Sequence, residues 1–282
     1  MSKRFSNDIV RGLPSSGVRT SIGALLLLAI NAGIAFAQPP TSSLSVINAA
    51  SGAPTVAPAS IAAAFGRQIG ASTVLAMSLP LPTTLGDVSV EVVDSGKTAR
   101  LAELFYVSPN QVNFVVPDAS KTGTATVNIK KGMSVTATAT VNVATVAPGL
   151  FTANGAGVGV AAAIAIRHII ASQTDSEVPV FHCDDHGCSS IGIEMGPDAT
   201  VFLELFGTGI RGRSALTNVT ATLGGESVTV LFAGAQGQFP GLDQVNLALP
   251  QDLHTRGETD IVLTVDGVTA NKVRINLKDK GN

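Results

Sequence analysis

Apolar and polar residues alternate with a period of two along much of the chain. Val88-Ser-Val-Glu-Val-Val93, Thr124-Ala-Thr-Val-Asn-Ile129, Val135-Thr-Ala-Thr-Ala-Thr-Val141 and Asp260-Ile-Val-Leu-Thr-Val265 each present one apolar face, the signature of a strand with one side buried. Val and Thr dominate them, and both suit a pleated, half-buried surface. Lys131-Gly132, Gly224-Gly225 and Asp266-Gly267 punctuate them, at places where tight hairpin turns need positive φ. After the first residues no capped, amphipathic helical pattern appears. Short strands at this spacing predict an all-β sandwich or barrel.

The pattern also repeats. Phe65-Gly66, Thr84-Leu85-Gly86, Gln111-Val112-Asn113 and Pro117 recur in order as Phe206-Gly207, Thr222-Leu223-Gly224, Gln244-Val245-Asn246 and Pro250, at offsets of 141, 138, 133 and 133 residues. A repeat this long predicts two copies of one folding unit, each large enough to bury its own core. The expected organisation is a leader over 1–37, a first immunoglobulin-like β-sandwich over 38–147, an inserted hairpin segment over 148–195 and a second sandwich over 196–282. The insert's strands are expected near Val160 to Arg167 and Val178 to Cys183.

The leader is read from charge. Lys3, Arg4, Arg11 and Arg19 precede an uncharged run from Ser21 to Ala37, and Ala35-Phe36-Ala37 supplies small residues for cleavage before Gln38. That is the layout of a secretory signal peptide, and the run is short of the roughly 20 residues a spanning helix needs. No later apolar run reaches that length, so no membrane insertion is expected after cleavage. Losing four basic and one acidic residue leaves 14 basic against 19 acidic, a net charge of −5. A mildly acidic surface argues against nucleic acid as a partner.

Longer motifs carry a resemblance. Val46-Ile-Asn-Ala-Ala-Ser-Gly52, Leu104-Phe-Tyr-Val-Ser-Pro-Asn-Gln-Val-Asn113, Ala147-Pro-Gly-Leu-Phe151, Leu205-Phe-Gly-Thr-Gly-Ile-Arg211 and Phe239-Pro-Gly-Leu-Asp-Gln-Val-Asn246 together resemble the Solibacter-type C-terminal domain family, over about Val46 to Leu277. Pro58 to Gly66 and Pro197 to Gly209 also resemble the opening of an IPT/TIG immunoglobulin-like domain. The resemblance implies an immunoglobulin-like fold and a secreted, periplasmic or cell-surface location, without an activity or catalytic residues.

Candidate chemistry is sparse. Cys183 and Cys188 are the chain's two cysteines, and in an exported protein they read first as a disulfide. The alternatives are free thiols or a metal site drawing on His182 and His186, although the spacing fits no common zinc pattern and adjacent strand residues point to opposite faces. Gly155-x-Gly157-x-Gly159 lacks the strand and helix of a dinucleotide fingerprint and reads as glycines at a tight turn. Arg211 and Arg213, in a loop, are candidates for binding a carboxylate or anionic sugar. No Gly-x-Ser-x-Gly or His-Glu-x-x-His motif occurs, and His168 and His254 stand alone. With no Trp and one Tyr, stacking on sugars is disfavoured. No cofactor is expected. The leading expectation is a non-enzymatic interaction or adhesion module whose partner, an extracellular protein or glycan, is unknown. A ligand-binding protein using the insert, and a metal-dependent hydrolase at His182 and His186, are the alternatives.

Overall fold

A computed structural model describes residues 44–253 and 257–279. The leader and His254 lie outside the described residues.

The first unit is a sandwich of two sheets. Its strands are β1 (Ser45–Asn48), β2 (Thr55–Val56), β3 (Ile61–Phe65), β4 (Val74–Leu75), β5 (Thr84–Leu85), β6 (Val88–Val93), β7 (Ala99–Leu101), β8 (Glu103–Val107), β9 (Gln111–Val115), β10 (Gly123–Lys131) and β11 (Ser134–Val143). One sheet runs β1-β3-β9-β8-β4, the other β2-β11-β10-β6-β5 with β7 also on β6. The alternating residues do what their period predicts: Val88, Val90 and Val92 point inward with Ala125, Val127 and Ile129, against Ala62, Ala64, Val112 and Phe114 of the facing sheet.

The second unit contains β12 (Gly149–Leu150), β13 (Gly159–Val160), β14 (Ala163–Ile169), β15 (Thr174–Pro179), β16 (Phe181–Asp184), β17 (Gly187–Ser190), β18 (Gly192–Met195), β19 (Ala199–Thr208), β20 (Val219–Leu223), β21 (Glu226–Ala235), β22 (Asp243–Leu249), β23 (Gly257–Val265), β24 (Val268–Thr269) and β25 (Val273–Asp279). Its two layers share β21, which pairs first with β20 and then with β22. The fold is thus all-β, with two immunoglobulin-like sandwiches in tandem. Among the described residues the helical elements are two short 3-10 turns, Leu216–Asn218 and Gln251–Leu253, and no helix is long and apolar enough to cross a membrane.

The repeat holds at the level of register. Phe65 lies opposite Gln111 and Ala63 opposite Asn113; Phe206 lies opposite Gln244 and Glu204 opposite Asn246. Gln111 donates to Asn113 Oδ1 at 2.9 Å, and Gln244 to Asn246 Oδ1 at 2.8 Å. Each copy places a β-bulge across from the Asn, at Phe105 in β8 and Leu231 in β21. One match shifts. Thr84-Leu85 forms the short edge strand β5, whereas Thr222-Leu223 ends β20, which pairs with β23 as β6 pairs with β10. The counterpart of β20 is therefore β6: a shared Thr-Leu-Gly before a turn does not fix which hairpin it belongs to.

The segment 148–195 is more deeply built in than a hairpin insert. Gly149–Leu150 pairs with the end of β19, β13 runs parallel to β25, β14 pairs with β19 over Ala163 to Ile169, and β18 runs parallel to β25. The second strand expected at Val178 to Cys183 is divided, because β15 ends at Pro179 and β16 begins at Phe181, with Val180 buried between them. β15 pairs back on β14, while β16 turns away to form its own hairpin with β17.

Candidate functional site

Arg211 is committed to the fold. Its Nε donates to Asp243 Oδ1 at 2.6 Å, its Nη2 to Leu242 O at 2.8 Å, and the backbone N–H groups of Ile210 and Arg211 donate to Asp243 Oδ2 at 2.7 and 3.2 Å. Asp243 is fully buried, and burial pushes its pKa up against the opposing pull of Arg211 and the backbone donors. The arginine neutralises a carboxylate that would otherwise be buried unpaired, which gives Arg211 a structural role beside the ligand-binding one expected from the sequence. The first copy solves the same corner without charge: Ile69 N–H donates to Pro109 O and Gly70 N–H to Ser108 O. Arg213 differs from Arg211, since its buried Nε has no hydrogen-bond partner. Its guanidinium lies over Gly234, with Nη1 3.8 Å from where a Cβ on that glycine would stand.

Cys183 and Cys188 are joined in a disulfide. They face each other across the β16–β17 hairpin, whose strands alternate half-buried and exposed residues. The alternation turns His182 away from Cys183, and His186 sits at the exposed turn, where its backbone N–H donates to Asp184 Oδ1 at 2.8 Å. Among the described residues no group of three or more His, Cys, Asp or Glu converges. Gly155, Gly157 and Gly159 all have positive φ in the turn leading into β13, and Gly157 O accepts from Asn271 Nδ2 at 2.8 Å. His168 Nδ1 lies 2.8 Å from Asp175 Oδ1 near the β14–β15 edge.

The faces that carry the two Gln-x-Asn ladders also carry residues of a shared apolar cluster. Val112 and Phe114 point into the first core and Val245 and Leu247 into the second, so Gln111, Asn113, Gln244 and Asn246 point out of their sandwiches. On those outer faces Ile61, Tyr106 and Val115 join Ala162, Phe206 and Leu242 in one cluster spanning both units. Polar contacts reinforce it: Ile61 N–H donates to Thr208 Oγ1 at 2.7 Å, Thr208 Oγ1 to Gly241 O at 2.7 Å, and Asn48 Nδ2 to Ala147 O at 2.8 Å. Gly209 admits the connecting chain, since a Cβ there would stand 2.1 Å from Ala147 O. The two sandwiches are thereby fixed against each other.

Glu204, on this face of β19, was not singled out by the sequence. It is 2% exposed, and no hydrogen-bond donor among the described residues reaches its carboxyl. Burial, and secondarily the charge of Glu177, raise its pKa to about 7. The matching residue in the first copy is Ala63. The available signal was an acid between Phe202 and Phe206 on the outward phase of a strand, which reads as solvent-facing unless another unit covers it.

The most accessible feature is an edge. β11 pairs with β10 on one side along its length, but on the other side β2 covers only Asn142 and Val143. Between Ser134 and Val141 no described strand occupies that edge. Ala144 N–H donates to Val56 O on the β2 side, so by strand alternation the N–H and C=O groups of Thr138 and Thr140 point out to the open edge. In the second copy the matching strand, β25, is covered by β13 at Val273 and Arg274 and by β18 from Asn276 to Asp279.

No protein-family model matches the chain, and no curated protein matches it. Among solved structures the chain is similar to the titin Ig tandem domains A164-A165, at 11% identity over 80% of this chain and 91% of that one, with a TM-score of 0.22.

Proposed function

We propose that this protein is an exported, non-enzymatic interaction module that presents sheet edges and loops to another macromolecule, as in adhesion or assembly. The observation that carries the reading is the open edge of β11, a row of unpaired backbone donors and acceptors of the kind that accepts an added strand. The second copy illustrates the capacity of this position, since β13 and β18 pair there with β25. Fixed packing of the two sandwiches supports the reading further, because a rigid scaffold holds the edge in one orientation. The leader and the Solibacter-type resemblance support export. The ligand-binding alternative draws less support: the insert's β14 and β18 are taken up in the second unit's sheets, and Arg211 is held by Asp243.

The test is capture of outer-surface material from the producing cell on the immobilised protein, compared with a Thr138→Lys variant that places a charge on the open edge. Retention of a macromolecule by the wild type and its loss in the variant support the reading. Retention of small molecules alone overturns it.

A further inference from the structure

We infer that the occupant of the β11 edge is a second copy of this chain, paired antiparallel across a two-fold axis at Thr138. The inference rests on the interaction reading above and names its partner.

The residues themselves select the partner. The open stretch between the Gly132 turn and the start of β2 coverage contains Val135-Thr136-Ala137-Thr138-Ala139-Thr140-Val141, which reads the same in both directions. A two-fold axis at its centre sets Thr138 against Thr138, Ala137 against Ala139, Thr136 against Thr140 and Val135 against Val141. Each residue thus meets one of its own kind, as an isologous interface requires, and threonine pairs across strands are favourable. The hydrogen-bond phase agrees: Thr138 directs its N–H and C=O outward, so two such residues on the axis exchange both bonds as an antiparallel hydrogen-bonded pair.

Charge points the same way. From Ser134 to Val143 the strand has no ionisable residue, no proline and no glycine, so nothing repels its own image. The outer edge of β15 carries Asp175, Glu177 and Pro179, features that discourage edge pairing, and a two-fold there would bring like charges together. The irregularity of β11 is the bulge at Thr136, whose hydroxyl donates to Ile129 O at 3.2 Å; it leaves Ala137 to Ala139 regular about the axis and faces Thr140 of the other copy. At the tip of the same hairpin Met133 is 97% exposed and Val135 51%, and self-pairing carries both toward the other copy.

The experiment is sedimentation equilibrium of the purified protein up to millimolar concentration, where a short strand interface associates measurably, together with residue-resolved amide exchange. The expected result is a monomer–dimer equilibrium in which exchange at Thr138 and Thr140 slows as concentration rises. Thr138→Lys, exposed and outside the core, gives up only the exposed hydrogen bond from its hydroxyl to Asn128 Oδ1 and is expected to weaken association by about tenfold or more through like charges on the axis, with a melting temperature lowered by no more than a few degrees. A Thr138→Pro variant removes an outward N–H without removing a β10 bond and is expected to do the same. A monomer at every concentration overturns the inference, as does a dimer whose Thr138 and Thr140 amides stay unprotected. Self-association sensitive to Thr138→Lys without capture of any other macromolecule supports it while removing the broader reading, and edge-dependent capture by a protein that stays monomeric does the reverse.

Discussion

The last strands of the two copies, β11 and β25, occupy the same place in the same skeleton and meet different fates. β25 is paired on both sides because β13 and β18 lie along its outer edge, whereas among the described residues no strand lies along that edge of β11 from Ser134 to Val141. The difference arises from what each copy inserted between its early strands. In the second, β14 and β18 stand on β19 and β25 as β1 and β2 stand on β3 and β11. What is added is β15, which widens one sheet, the β16–β17 disulfide hairpin, and β13, which with a longer β18 covers the edge of the other. The second copy also acquired two carboxylates the first copy lacks, Asp243 paired with Arg211 and Glu204 without a partner. The lesson is that duplication preserved the core and its Gln-x-Asn ladders while edges and corners diverged, and the copy that kept fewer strands kept an edge open for pairing.

Removing what is particular to the second copy measures the contrast. Arg211→Ala is expected to have the largest effect, a loss of about 3–5 kcal/mol, because Asp243 is left buried without its cation; urea denaturation reads it, and a loss below about 1 kcal/mol would mean the corner is held as in the first copy, by backbone alone.

Glu204→Gln tests the unpaired carboxyl. Its pKa is raised from 4.5 to about 7, so the folded state binds more protons than the unfolded state between those values, and stability falls as pH rises through that window. The glutamine variant is then expected to be more stable than wild type by about 3 kcal/mol above pH 7, and level with it below pH 4.5. Melting curves across this range check it, and parallel pH profiles of the two proteins would rule it out.

The smallest effect belongs to the insert's hairpin. Replacing Cys183 and Cys188 together with serine opens a ring of few residues and is expected to cost about 2 kcal/mol or less. Amide exchange should show the loss confined to β16 and β17, with β18 still protected on β25.

Local physics made much of this legible in the chain. Val88 to Val93 and Asp260 to Val265 declare their strands by alternation, since a strand with one buried face must have period two. Gly224-Gly225 and Asp266-Gly267 declare their turns because both residues of each pair take positive φ. The paired cysteines were legible too, five residues apart in a polar loop and opposite each other once the hairpin forms. The equivalence of Thr84 and Thr222 was misleading because both precede a turn and the pattern is silent on which strand pairs next.

Arg211 and Glu204 mark what was hidden. Arg211 reads as a loop cation until Asp243, 32 residues away, closes on it, and Glu204 reads as solvent-facing until the folded chain buries it. The sequence by itself determined strand phase, turn positions and the duplication, because each depends on neighbours within a few residues. Tertiary structure alone decided which outer faces are buried, which charges are neutralised and which edge stays bare, because those depend on strands brought together from distant parts of the chain.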